Sequence, residues 1–386
     1  MKVRRIIASV FVFAIIALAI GFSSCNRMAP MVPDTETPLM MDAEISIGVA
    51  VAETGAYAEP YGLPMKRGLE LAQEEINMLG GSSITFVPVD AKSTVEGGVA
   101  AVQELVNQGV PAIVGIGIST HLQEAFPIAQ KSGVIAFSPI SSAAGLSSLG
   151  DYIFRAGLAT DILIPNGVMA THKKLGYKKV ATIYDDIDVY SISSNEEITK
   201  ALRANGVEIL TEETFQTGDT DFSIQLTNIM NMEPDALFIS GLAQERTRII
   251  IQGRDLGIPD AVHFIATSLT RDEGQRAGKA AEGLIGFTGW SSMSDTPGNQ
   301  AFVQKYQAKY GIEPKQWAAQ SYATLYILAN AIANAQSTDS AAIRDALAQT
   351  MNFPTILGNF SFDANGEAVY DPIVLMVKDG ELQLFE

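Results

Sequence analysis

Two apolar runs, Ala112 to Ile116 and Val134 to Phe137, each lead into short hydroxyl side chains. Ser119 and Thr120 follow the first, and Ser138, Ser141 and Ser142 follow the second. Small donors at two neighbouring strand ends, backed by helix N-terminal N–H groups, form a neutral cradle suited to a carboxylate or an amide. Each hydroxyl taken alone also reads as a helix N-cap. The second group of three, at a second strand end, is what points to a shared pocket. Two tyrosines extend the pattern: Tyr61 in TGAYAEPYG and Tyr190 after YDDIDV. A loop tyrosine is often a lid over core, but two at corresponding strand ends suit a cleft in which flat rings enclose a small apolar group.

Other chemistries find less to work with. Gly115-x-Gly117 lacks the third glycine of a dinucleotide fingerprint, and no phosphate-binding GxxxxGK[ST] loop occurs. There is no G-x-S-x-G nucleophile elbow, and His121, His172 and His263 fall in different units without metal-ligand spacing. His121 stands two residues from Ser119 but reads as an exposed position in a first helical turn. Neither a cofactor nor a metal is expected, and the chain reads as a binding protein rather than an enzyme. An exported hydrolase is the reading from another class, and turnover of ligand would reveal it.

Such strand ends need a scaffold. From Glu44 onward, β-branched runs alternate with amphipathic segments: EISIGVAV, a helix through GLELAQEEINML, SITFVPVD, a helix through VAAVQELVNQG, then AIVGI. In the first helix Leu69, Ala72, Ile76 and Leu79 recur at three and four residues. Apolar strands each followed by a helix imply a parallel sheet covered on both faces. The rhythm restarts near Ile162, with strands KVATIYD, VEILTEETF, DALFISG and HFIAT. The fold class is therefore α/β, with two doubly wound parallel-sheet lobes joined by crossover strands. Residues 44–160 plus 290–353 form the expected first lobe, and 161–289 plus 354–386 the second. The last 30 or so residues read as antiparallel strands at a sheet edge. In open parallel sheets, ligands sit beyond the carboxyl ends of strands, where both hydroxyl groups lie.

The N-terminus speaks to location. Lys2, Arg4 and Arg5 precede an apolar run from Ile6 to about Phe22 and the box Phe22-Ser23-Ser24-Cys25. An uncleaved anchor helix is conceivable at that length, but the order of regions is that of a signal peptide over 1–24. Residues 25–43, with Pro30, Pro33 and Pro38, read as a tether. Cys25 is the single cysteine, so no intrachain disulfide can form. Loss of the leader deletes three basic and no acidic residues and moves the net charge from −17 to −20. Nucleic acid and anionic membrane surfaces are poor partners for such a chain.

Taken together, ISIGVAVAETGAYAEPYG, AIVGIGIST, GVIAFSPISS, YIFRAGLATD, KVATIYDDIDVYS, PDALFISGLAQERTRIIIQGRDLGI and FSFDANGE resemble the type I periplasmic binding proteins of ABC transporters, in the branched-chain amino acid and amide group. The FSSC box resembles a lipoprotein cleavage site with Cys25 as the lipidated residue. The resemblance implies an extracytoplasmic, lipid-anchored, monomeric protein that closes on one small molecule and docks on a membrane permease. A sensory receptor of the same fold is the alternative. By the same resemblance, Ser119 and its neighbour Thr120, with Ile140, Ser141 and Ser142, hold a carboxylate, and Tyr61 and Tyr190 enclose the ligand. Two positions depart from the group: Leu242 replaces a common aromatic, and Ser268 replaces the glutamate that pairs with an α-ammonium. Glu53, Asp185, Asp186 and Asp188 could substitute but read as solvated loop charges. The expected ligand is thus a small apolar carboxylate or amide without an ammonium, with a branched-chain amino acid as the alternative.

Overall fold

The computed structural model describes residues 44–80 and 83–385, so the leader, Cys25 and the tether lie outside the described residues. The first lobe is built on β1 (Glu44–Val51), β2 (Ser83–Asp90), β3 (Ala112–Gly115), β4 (Ile135–Ser138) and β5 (Ile153–Arg155). Between them run α1 (Leu63–Met78), α2 (Val95–Asn107) and α3 (Ser119–Lys131). The strands pair in parallel in the order β2-β1-β3-β4-β5. Every residue of β3, β4 and β5 is buried: β3 and β4 are central strands with helices on both faces, and the edge strand β5 is covered by a later segment that includes Phe362 and Gly366.

The chain then crosses to the second lobe. Its helices and strands are α4 (Thr160–Leu175), β6 (Lys179–Asp185), α5 (Val189–Ala204), β7 (Glu208–Phe215) and α6 (Ser223–Asn231). They continue with β8 (Ala236–Ser240), α7 (Ala243–Asp255), β9 (His263–Ala266), α8 (Arg271–Ala277) and β10 (Ile285–Thr288). The order β7-β6-β8-β9-β10 repeats that of the first sheet. In both sheets the order reverses beside the first-laid strand, and a crevice opens there beyond the carboxyl ends.

After β10 the chain returns with α9 (Asn299–Tyr310), α10 (Gln316–Ala335) and α11 (Ser340–Ala348). The buried helix α10 lies along α1, where a Cβ on Gly68 would sit 2.1 Å from the Ala318 carbonyl oxygen, so only glycine permits this approach. Three short strands follow, β11 (Phe353–Thr355), β12 (Gly358–Phe362) and β13 (Ala368–Val369). The last two, β14 (Ile373–Lys378) and β15 (Glu381–Leu384), add antiparallel strands to β10.

The block expected to accompany the second lobe, 354–386, is divided between the two. The Phe362 ring packs on Phe137 and Phe154 at centroid distances of 5.6 and 5.1 Å, and Glu367 forms a buried ion pair with Arg155 of β5. Residues 353–369 therefore cover the first sheet, and β14 and β15 extend the second. Strand periodicity marks such segments but does not say which sheet will receive them.

A candidate ligand cleft between the lobes

The turn from β3 into α3 is strained and firmly held. Gly115 has φ +147° and Ile116 has φ +45°, a left-handed conformation that a β-branched residue adopts at a cost. The Ile116 N–H donates to the Ala50 carbonyl at 2.8 Å, and its carbonyl accepts from Ser138 Oγ at 2.8 Å. This turn brings the N-terminus of α3, with its unpaired N–H groups and positive dipole end, to the space between the lobes.

The hydroxyls partly hold one another. Ser119 Oγ and Ser141 Oγ lie 2.9 Å apart, Ala143 N–H donates to Ser119 Oγ at 3.3 Å, and Ser142 Oγ donates to the Ile140 carbonyl at 3.1 Å. Ser119, Ser142 and Ile140 line a cavity of about 50 Å³ between the lobes, several times the roughly 10–15 Å³ that one water requires. Tyr61 joins them from the first lobe, with Trp317 and Gln320 of α10. Facing them from the second lobe are Tyr190, Leu242, Arg246, Ser268 and Phe287.

Seven of the nine residues expected at the ligand thus share one cavity: Tyr61, Ser119, Ile140, Ser142, Tyr190, Leu242 and Ser268. The other two do not line it. Ser141 is buried behind Ser119 as its hydroxyl partner. Thr120 faces the other lobe directly: its Oγ1 donates to Asp188 Oδ1 at 2.8 Å and accepts from Val189 N–H at 3.0 Å. It is a strap across the cleft rather than part of the cradle.

One aromatic wall is tied across the lobes as well, and the other is held within the second lobe. Tyr61 OH accepts from Ala243 N–H at the start of α7 at 2.8 Å, and Tyr190 OH donates to the Thr267 carbonyl at 3.2 Å. Burial pushes both phenols well above their ordinary range. Ser268 Oγ accepts from Gln316 Nε2 of α10 at 2.7 Å, another bond between lobes.

Two expectations about charge and exposure are corrected. His121 is buried, its ring 5.6 Å from that of Tyr57, because the loop before α1 folds over the start of α3. Asp185 and Asp188 are buried rather than solvated. Asp188 caps α5 by accepting from Ser191 N–H at 2.9 Å, and Asp185 accepts from the N–H groups of Ile187 and Asp188. Burial raises the Asp185 carboxyl above its usual range. Glu53 pairs with Lys66 at 2.6 Å. None of these acids lines the cavity, and no other acidic side chain does among the described residues.

Sequence reasoning missed Arg246 and the polar residues of α10. Arg246, only 2% exposed, donates through Nη1 to the Gly241 carbonyl and through Nη2 to Glu273 Oε1. The other oxygen of Glu273 accepts from the N–H and hydroxyl of Thr270 at 2.9 and 2.8 Å. No cluster of three or more His, Cys, Asp or Glu side chains placed to hold a metal occurs among the described residues.

Residues 44–381 match the family model described as periplasmic binding protein. The chain belongs to that family. Within it, this periplasmic binding protein is 28% identical to Leu/Ile/Val-binding protein homolog 2 of Brucella abortus (strain 2308) over 359 residues, covering 89% of this chain and 94% of the relative. Among solved structures it resembles the branched-chain amino acid transporter substrate binding protein LivJ from Streptococcus pneumoniae in complex with isoleucine. That likeness has a TM-score of 0.81 and 29% identity, and covers 88% of this chain and 98% of the other. A solute binding protein of an ABC transporter from R. palustris in complex with benzoate shares the fold, with a TM-score of 0.80 at 22% identity over 89% and 95% of the two chains. The type I periplasmic binding protein fold is that of a two-lobed receptor for small solutes, and the cleft described above lies between its lobes. Among the described residues no helix is long and apolar enough to cross a membrane.

Proposed function

We propose that this chain is the lipid-anchored, extracytoplasmic solute-binding component of an ABC uptake system, and that its ligand is a small, largely apolar carboxylate or amide without an α-ammonium. The observation that carries the ligand class is the cavity lining, which offers the α3 N-terminus and serine hydroxyls but no acidic side chain. A buried ammonium without an anionic partner carries a desolvation penalty of several kcal/mol. The names of the similar proteins point both ways: isoleucine occupies the S. pneumoniae structure, and benzoate, an acid with no ammonium, the more distant R. palustris one. Ligand is bound and released unchanged in this reading, and a permease receives it.

Calorimetry at equal concentrations of leucine, its deaminated analogue 4-methyl-2-oxopentanoate and benzoate separates the readings. Heat from one or both acids and none from leucine is expected. Micromolar leucine binding with no heat from 4-methyl-2-oxopentanoate would place the ammonium on neutral acceptors and overturn the assignment. For the anchor, Cys25→Ser should release the protein from membranes or leave its precursor unprocessed. Membrane retention of a leaderless Cys25→Ser protein would count against lipidation.

A further inference from the structure

Three groups around the cavity have hydrogen-bonding capacity that the protein does not use. Arg246 lines the cavity, and its guanidinium carries five N–H donors, of which the protein engages one on Nη1 and one on Nη2. Gln320 lines it from the opposite lobe; its Nε2 donates to Tyr370 OH at 3.4 Å, but its buried Oε1 has no partner. Thr267 lines it at the end of β9, and its buried Oγ1 has no partner either. Buried polar atoms are nearly always satisfied, and leaving one unmet costs free energy. The α3 cradle is a separate donor set, so these three do not duplicate it.

We infer that Arg246, Thr267 and Gln320 read a hydroxyl group on the ligand, which makes the ligand class a hydroxylated carboxylate. The inference rests on the carboxylate reading above and extends it to a second functional group. A hydroxyl is both donor and acceptor, so it can accept from an Arg246 N–H or Thr267 Oγ1 and donate to Gln320 Oε1. A methyl group of similar size can do neither. A second full anion suits the set less well, because Glu273 already neutralises Arg246 and the Gln320 oxygen would repel it. An ammonium would meet the same oxygen but would face the Arg246 cation.

Two pairs of acids, each exchanging a hydroxyl for a methyl, provide the test: 4-hydroxybenzoate against 4-methylbenzoate, and 5-hydroxypentanoate against hexanoate, titrated into the full chain. The hydroxyl member of at least one pair should bind about tenfold tighter or more. That preference should shrink in Gln320→Met and in Thr267→Val. It should shrink further in the double variant R246M/E273Q, which removes the guanidinium without stranding a buried carboxylate. A variant that lost fold alone would weaken both members of a pair equally, so the ratio is the readout. Equal binding within a pair by the wild-type chain, or a preference that survives all three variants, overturns the inference. If leucine binds and none of the four acids does, the carboxylate reading itself fails and this inference falls with it.

Discussion

Thr120 makes no contact with the cavity, yet its replacement by valine is expected to weaken ligand binding strongly. In the closed arrangement its hydroxyl donates to Asp188 Oδ1 at 2.8 Å and accepts from Val189 N–H at 3.0 Å. Asp188 is 3% exposed, so water cannot replace the hydroxyl while the lobes remain together. Valine has nearly the shape of threonine and leaves one buried acceptor and one partly buried donor unmet, at up to about 1–3 kcal/mol each. When the lobes part, water satisfies both groups and the penalty vanishes. Allowing for partial relaxation, closure becomes less favourable by about 2–4 kcal/mol, which lowers affinity roughly 30-fold to several hundredfold. Calorimetry with whichever of 4-methyl-2-oxopentanoate or leucine the chain binds measures the change. Thr120→Ser, which keeps the hydroxyl, should stay close to wild type, and the ligand-free melting temperature of Thr120→Val should be unchanged. A Thr120→Val protein that binds within threefold of wild type would refute the claim that this strap contributes to closure.

Two further outcomes follow from buried charge. Arg155→Met strands Glu367 in the first lobe, so chemical denaturation should show a loss of about 3–5 kcal/mol, and the double variant R155M/E367Q should recover much of it. Burial holds the His121 imidazole below its usual 6.5, so the unfolded chain takes up that proton first on acidification. Stability is then fully present above pH 6.5 and falls as pH drops below it, by at most about 1.4 kcal/mol per pH unit from this group. His121→Gln should therefore lose less melting temperature than wild type between pH 7.5 and pH 5.5. Identical losses would show that the imidazole titrates freely.

The alternation of apolar strands and amphipathic helices made both lobes legible, because each strand and helix announces its own period. The hydroxyl cradle was legible for the same reason: Ser119 and Ser142 follow strands whose burial fixes where their ends must lie. Thr120 was misplaced because neighbouring residues in a first helical turn point about 100° apart, and only the lobe arrangement decides what the second one meets. Arg246 was not singled out within AQERTRIIIQG. Its signal was present, since Arg246, Ile249, Ile250 and Gly253 recur at three, four and seven residues and all lie on the buried face. Glu273 had a signal too, as the last position of the capping box Thr270-x-x-Glu273. What no local pattern could supply is that these two side chains meet, 27 residues apart, or that Gln320 of a helix in the other lobe lines the same cavity as Arg246.

The three crossings between lobes constrain how the molecule comes into being. The first sheet acquires its last covering segment only at 353–369, clasped by the Arg155–Glu367 pair, and the second sheet acquires β14 and β15 after that. Neither half can be completed from a contiguous stretch, so in a chain emerging from a ribosome or a translocation pore the first half stays unfinished until Val369 has passed and the second until β15 has. For an exported protein this ordering is useful: a polypeptide that cannot lock early remains threadable, and both halves mature together on the far side. The same entanglement means that cutting the gene at a lobe boundary yields no autonomous fragment, whereas a circular permutant opened in the Asp379-Gly380 turn leaves all three crossings intact.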